Sequence, residues 1–161
     1  MSTHTQEGNF KWLSRWHLTP SKINTIFPNA SAQCWRCPHP RGTPSHIWWS
    51  CPVMCTYWSK IIKMIHTITN IQLPQSPETA LFLHLPPSVP KNMRSLTTHL
   101  LTAANALIPS HWKKPEAPTI RAWINKVDTI RLLEEIHYSR SHSYSTYERT
   151  WGPRLHFLKA D

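Results

Sequence analysis

Cys34-Trp-Arg-Cys37, then eight residues, then His46-Ile-Trp-Trp-Ser-Cys51 is the stretch on which the reading of the whole chain turns. Two thiolates separated by two residues can grip one metal ion from a tight turn. A His and a Cys separated by four can close the tetrahedron where the loop enters a helix. Three sulfurs and one imidazole suit Zn²⁺, a d¹⁰ ion without redox chemistry. No coordination position is left for a substrate, so the expected site is structural. Its binding energy, roughly 10–16 kcal/mol in small zinc peptides, would order the loop. Cys34, Cys37, His46 and Cys51 are therefore the expected ligands. His39, two residues past Cys37, and Cys55, one helical turn past Cys51, stand as alternatives, and thiols packed into a core are the rival reading of all these cysteines. The N-terminus shows no apolar signal-peptide run, so four Cys favour metal or free thiols over disulfides.

Outward from this stretch the pattern is helical. Upstream, Thr19 is a candidate N-cap, Pro20 suits the first helical position, Ile23, Ile26 and Phe27 share a face, and Pro28 ends the helix. Downstream, Pro52 opens a helix whose Met54, Tyr57, Trp58, Ile61, Ile62, Ile65 and Ile68 form one apolar stripe, with Lys60 and Lys63 opposite. Pro74, Pro77, Pro86, Pro87 and Pro90 make residues 71–90 a semi-rigid connector, in which Leu81-Phe-Leu83 is an apolar turn. A third helix carries Met93, Leu96, Leu100, Leu101, Ala104 and Leu107, with Pro109 as its stop. A fourth runs from Thr119 to about Tyr138 and buries Ile120, Trp123, Ile124, Val127, Ile130, Leu133 and Ile136. The fold class expected is mainly α: a small zinc-stabilised Cys/His loop module packed on helices, a Pro-rich connector and a helical pair. The organisation reads as a disordered N-terminus (1–10), a zinc-knuckle-like segment with flanking helices (11–70), the connector (71–90), the helical pair (91–140) and a polar tail (141–161). Fifteen Pro against three Gly in 161 residues argue against tight Gly hairpins and extended sheets. Apolar runs such as Ala80-Leu-Phe-Leu83 fall far short of the ~20 residues of a membrane span.

Charge narrows the partner. The formal net charge is +10. No acidic residue lies between Glu7 and Glu78, while Lys11, Arg15, Lys22, Arg36, Arg41, Lys60 and Lys63 do. Cations without local partners favour a polyanion. Asp128 and Asp161 are the only aspartates and Glu134-Glu135 the only adjacent carboxylates, so the chain can hardly assemble a two-metal polymerase or nuclease centre. Trp12, Trp16, Trp35, Trp48, Trp49 and Trp58 fall in the same acid-free region, where aromatics beside cations can stack on unpaired bases. Trp58 belongs to the core by its helical position, and one of Trp48 and Trp49 is expected beneath the metal. Arg36, Arg41, Lys22 and Lys60 are the expected phosphate contacts and Trp35 the expected stacking residue. The partner is then RNA or single-stranded DNA. His17, His66, His99 and His137 have no evident nucleophile or carboxylate beside them in sequence, and no catalytic residue is expected.

Arg15-Trp-His-Leu-Thr-Pro20, Ile26-Phe-Pro28, Cys34-Trp-Arg-Cys37, Gly42, His46-Ile-Trp-Trp-Ser-Cys-Pro52 and Trp58, in this order, resemble the C-terminal segment of the LINE-1-like non-LTR retrotransposon polyprotein. That protein carries an endonuclease and a reverse transcriptase ahead of its Cys-rich end. The likeness continues more weakly through Leu100-Leu-Thr-Ala-Ala104 and Trp112-Lys-Lys-Pro115 to about Tyr138. The resemblance implies a non-catalytic, nucleic-acid-contacting accessory region of a ribonucleoprotein, with Cys34, Cys37, His46 and Cys51 at the family's metal-ligand positions. It also implies an intracellular location, in cytoplasm or nucleus. The polymerase Asp-Asp motif and the endonuclease are missing, and Pro109 interrupts the third helix where the family runs on. Two alternatives stand beside this reading: a protein-interaction module, and a non-functional translated remnant of an inactive copy.

Overall fold

The structure is a computed structural model that describes residues 17–160. The disordered N-terminus expected at 1–10, and Lys11, Trp12, Arg15 and Trp16, lie outside the described residues. Those described are mainly helical and contain no strand. The elements are α1 (Pro20–Ile26), a π-helical turn (His46–Ser50), α2 (Pro52–Thr69), α3 (Pro77–Ala80), α4 (Lys91–His111), α5 (Ile120–Arg140) and α6 (Tyr144–Ala160). No helix among them is long and apolar enough to cross a membrane. The chain divides into two compact units: one runs through Ser59 and takes in Ala106–Pro118, the other joins Lys60–Asn105 to the chain from Thr119 onward. The division falls inside α2 and α4, so each of these helices contributes to both units.

In the first unit, Pro20 opens α1 as its position suggests; Thr19 sits extended at the N-cap but makes no side-chain capping bond, its hydroxyl meeting that of Ser21 at 3.4 Å. The apolar face read for α1 is only partly covered: Ile23 is half-buried, and Ile26 and Phe27 are exposed. The core is built instead on Ile47, Trp48, Met54, Tyr57 and Trp58, all buried. The Trp58 indole N–H donates to the Trp48 carbonyl at 3.0 Å, which satisfies the one polar atom that burying this ring would strand.

In the second unit, Ile61, Ile62, Ile65 and Ile68 of α2 are buried while Lys60 and Lys63 are exposed, as the period requires. Asn70, at φ 54°, ends the helix in the left-handed region that Asn tolerates best after Gly. Residues 71–90 are more than a spacer. Ser76 caps the single turn α3 by accepting from the Thr79 N–H, and Leu73, Ala80, Leu81, Leu85 and Val89 are buried. Asn105 donates to the Ala80 carbonyl at 2.7 Å and ties this segment to α4. The α4 stripe is buried at Leu96, Leu100, Leu101 and Ala104 and half-buried at Met93, while its last member, the half-buried Leu107, falls in the first unit.

Three expectations need correction. Pro109 does not stop α4, which continues to His111. Proline forfeits one helical hydrogen bond, and this close to the end the turn is held otherwise: the Ser110 hydroxyl donates to the Leu107 carbonyl at 2.8 Å. In α5 only Trp123 and Val127 of the expected stripe are buried. Ile120, Ile124 and Ile130 are half-covered, while Leu133 and Ile136 are exposed together with Leu132. The periodicity places these residues on a helix but cannot say where the covering element ends. The polar tail read over 141–161 is a helix from Tyr144 to Ala160: α6 packs on α5, with Tyr147, Thr150, Trp151 and Arg154 buried at helical spacing. The Ser- and Tyr-rich composition hid a stripe whose members are mostly amphipathic or charged.

These side chains are secured by polar links. The Trp151 indole donates to Glu134 at 2.9 Å, its ring stacks on His99, and His99 pairs with the same carboxylate at 3.1 Å. Burial alone would raise the Glu134 carboxyl, yet the hydrogen bonds from His99 and Trp151 leave it below its ordinary value. Arg131 donates to Glu135 and to the Tyr147 hydroxyl, and Arg154 lies 3.6 Å from Asp128. Trp151→Ala is therefore expected to destabilise the second unit by about 3–5 kcal/mol, as truncations of buried aromatics do. Urea unfolding followed by far-UV circular dichroism measures this, and a silent substitution would return 141–161 to the status of a tail.

Candidate metal centre

Each ligand candidate is placed by a different local device. Cys34 and Cys37 sit on a turn closed by the Cys34 N–H donating to the His39 carbonyl at 3.0 Å, while the Arg36 N–H points at the Cys34 sulfur, 3.3 Å away. His46 and Cys51 are five positions apart, which on an ordinary α-helix of 3.6 residues per turn would set them about 140° apart. The π-helical turn solves this. The Cys51 N–H bonds the His46 carbonyl at 2.9 Å, so the widened turn brings i and i+5 to one side. The ligand loop is also tied to the start of α1. Gly42 donates to Ala32 at 2.7 Å and accepts from the Ser21 N–H at 3.2 Å, and a Cβ on Gly42 would meet the Pro20 ring at 2.8 Å.

The result is a cluster in which one ligand atom each from Cys34, Cys37, His46 and Cys51 lies within 4.8 Å of all the others. The Cys34 and Cys51 sulfurs are 4.0 Å apart and the Cys37 sulfur is 3.2 Å from His46 Nε2. Zinc bonds of ~2.3 Å to sulfur and ~2.0–2.1 Å to nitrogen give tetrahedral edges of about 3.5–3.8 Å, so the donors fit such an ion with little movement. All four cysteines are free thiols. Cys34, His46 and Cys51 are buried, whereas Cys37 is half-exposed on a depression lined with Pro38, His39, His46, Ser50 and Pro52. The Ser50 hydroxyl faces the other imidazole nitrogen, His46 Nδ1, at 3.4 Å, the position from which an outer group orients a ligating ring. Neither alternative ligand belongs to the cluster: His39 stacks on the His46 ring and meets the Arg41 backbone through Nδ1, and the Cys55 thiol is turned to the Trp49 carbonyl.

Without a metal ion, the electrostatics disfavour charge at both Cys51 and His46. Burial pushes the metal-free Cys51 thiol up to about 11, and the neighbouring Cys34 adds to this. Burial first, then His39 and Arg36, hold the His46 imidazolium below its ordinary range, so the ring is neutral and able to ligate at neutral pH. No family model matches the chain.

The expected nucleic-acid contacts are dispersed. Arg41 is exposed, and the bond between Gly42 and Ser21 brings it close in the backbone to Lys22, which is half-buried. Lys60 is exposed on α2 in the second unit. Trp35 is half-buried, edge-on to Trp112 at 5.3 Å. Arg36 is the clear exception. Its guanidinium turns inward, donating to the carbonyls of His111 at 2.6 Å, Ile47 at 2.8 Å and Lys114 at 3.1 Å. Charged donors of this kind contribute roughly 1.5–3 kcal/mol each, so the side chain is committed to the fold and not to a phosphate. Sequence spacing missed this because the accepting carbonyls lie 75 and 78 positions away. It also missed Trp112, whose ring meets His17, Trp35 and Trp48 with Lys113 Nζ 5.0 Å above it. The one signal available was the Trp112-Lys-Lys run itself.

Two outcomes follow from this geometry. Divalent metal binding must strip the proton from Cys51, so apparent affinity is expected to rise with pH through the neutral range and to fall in acid. Competition titration with a chromophoric chelator at several pH values tests this, and a pH-independent affinity would contradict it. Gly42→Ala should cost about 1–3 kcal/mol, as overpacking does, seen as a lower urea midpoint of the first unit; an unchanged midpoint would show that the Pro20 contact yields freely.

Proposed function

We propose that the chain is a non-catalytic nucleic-acid-binding module in which Cys34, Cys37, His46 and Cys51 hold a structural Zn²⁺. The observation that carries this reading is the convergence of these four donors in a unit whose only carboxylate, among the described residues, is Glu116. A closed four-ligand set suits a structural ion. The surrounding unit offers Arg41, Lys113 and Lys114 as exposed cations and Lys22 half-buried beside Arg41. Trp35 keeps a partly open ring for a base. RNA or single-stranded DNA is the partner class, since stacking needs unpaired bases. The likeness to the Cys-rich end of LINE-1-like polyproteins supports the same reading and points to an intracellular ribonucleoprotein.

Phosphate contacts on single strands each add about −0.7 to the slope of log affinity against log salt. With Arg41, Lys22, Lys113 and Lys114 in contact, the slope for a labelled oligonucleotide is expected near −3. Arg41→Ala should make it shallower by about 0.7, and Lys60→Ala measures the contribution expected of the second unit. A slope near zero would remove the nucleic-acid reading.

A second reading, protein docking by the second unit, is favoured by the exposed Leu132, Leu133 and Ile136. It differs in its salt response: an apolar contact survives about 1 M salt, where the screening length is ~3 Å.

A further inference from the structure

We propose that Arg36 is a metal-dependent latch. Metal binding at the Cys/His cluster would fix the Cys34–Cys37 turn, and Arg36 would carry that order to residues 106–118, which present Trp112, Lys113 and Lys114. This rests on the metal reading above and adds to it a positioning residue and a means of controlling the cationic surface.

The two residues between the cysteines both reach the same remote segment. The Trp35 ring meets Trp112 edge-on at 5.3 Å. Arg36 gives one N–H to Ile47, directly after the ligand His46, and two others to His111 and Lys114. One planar fork thus joins the Cys turn, the π-helical turn and the C-terminal end of α4. The His111 carbonyl, which also accepts the Lys114 N–H at 3.0 Å, lies in the last turn of α4, where a cation meets the negative end of the helix dipole. Past the end of α4 at His111, Pro115 and Pro118 can donate no backbone hydrogen bond, so side-chain donors such as Arg36 add to the order of this stretch.

Metal occupancy bears on this fork through the ligand turn. The Arg36 N–H points at the Cys34 sulfur, so the conformation at the root of the side chain belongs to the ligand turn itself. A lysine keeps the positive charge but, as a compact ammonium on a flexible stem, cannot span three carbonyls in one plane.

The test is hydrogen–deuterium exchange on the full chain, zinc-loaded and chelator-stripped, for the native sequence and for Arg36→Lys, with zinc per chain measured in each sample. Stripping the native chain is expected to speed exchange in peptides from 106–118 at least tenfold. Zinc-loaded Arg36→Lys should show the same loss there while keeping one zinc per chain and native exchange in α5 and α6. If the native chain binds zinc but exchange in 106–118 is unchanged on stripping, the latch is wrong and the metal site stands. Full protection of 106–118 in zinc-loaded Arg36→Lys overturns it equally. A chain that takes up no zinc overturns the metal site and the latch together. Should Arg36→Lys lose protection throughout both units, the stripping experiment on the native chain decides alone.

Discussion

Four soft donors brought within 4.8 Å of one another are the constraint around which the first unit is arranged. Holding them there needs three unusual local structures: a tight Cys turn, a π-helical widening and a glycine pressed against a proline ring. Each of these is poor in ordinary helical hydrogen bonds. A loop with several prolines can supply few backbone donors of its own; beside bonds such as that from the Cys34 N–H to the His39 carbonyl, the side chains of Arg36 and Trp58 donate to further carbonyls. The site and its supporting shell are thus one structure, and a change in either is felt in the other.

The second unit solves a different problem. Its helices α2 and α4 carry conventional aliphatic stripes, but α5 and α6 meet through aromatic rings and ionised groups. Trp151 and Tyr147 bury large apolar areas while their polar atoms find Glu134 and Arg131. Trp151 and Tyr147 tolerate a polar sequence because their rings are buried while their polar tips are hydrogen-bonded, whereas buried nitrogens of Arg131 and Arg154 and one Asp128 oxygen lack a hydrogen-bond partner. Arg154 shows the cost of this solution: it is almost wholly buried, and burial lowers its pKa against the opposing pull of Asp128. The guanidinium stays charged nonetheless, since its ordinary value is so high.

Charge is distributed to match. The carboxylates that the chain possesses lie mostly in the second unit, where Asp128 faces Arg154 of α6, Glu135 pairs with Arg131 within α5, and Glu134 takes His99 of α4 and Trp151 of α6. The first unit keeps its cations with Glu116 as the sole described carboxylate. Cations outnumber carboxylates in both units, and what sets the Cys/His unit apart is that almost none of its cations has a carboxylate within the unit to pair with.

The helical class, the stripe of α2, the α4 stripe and the four clustered donors were all legible in the sequence, because each depends on spacing within a short stretch. Thr19-Pro20 at the head of α1 belongs with them. What spacing could not reveal depends on partners distant in the chain. The inward turn of Arg36 is decided by carbonyls 75 and 78 residues away, and a basic residue in an acid-free stretch looks like a phosphate contact until those acceptors are in place. The helix α6 was hidden because Tyr147, Trp151 and Arg154 become a buried stripe only when α5 supplies Glu134, Arg131 and Asp128 opposite them. Leu133 and Ile136 err in the other direction, apolar by pattern yet exposed. The local code sets which side chains share a face or a turn; burial and hydrogen bonding belong to pairs, and only the tertiary structure brings the second member of each pair.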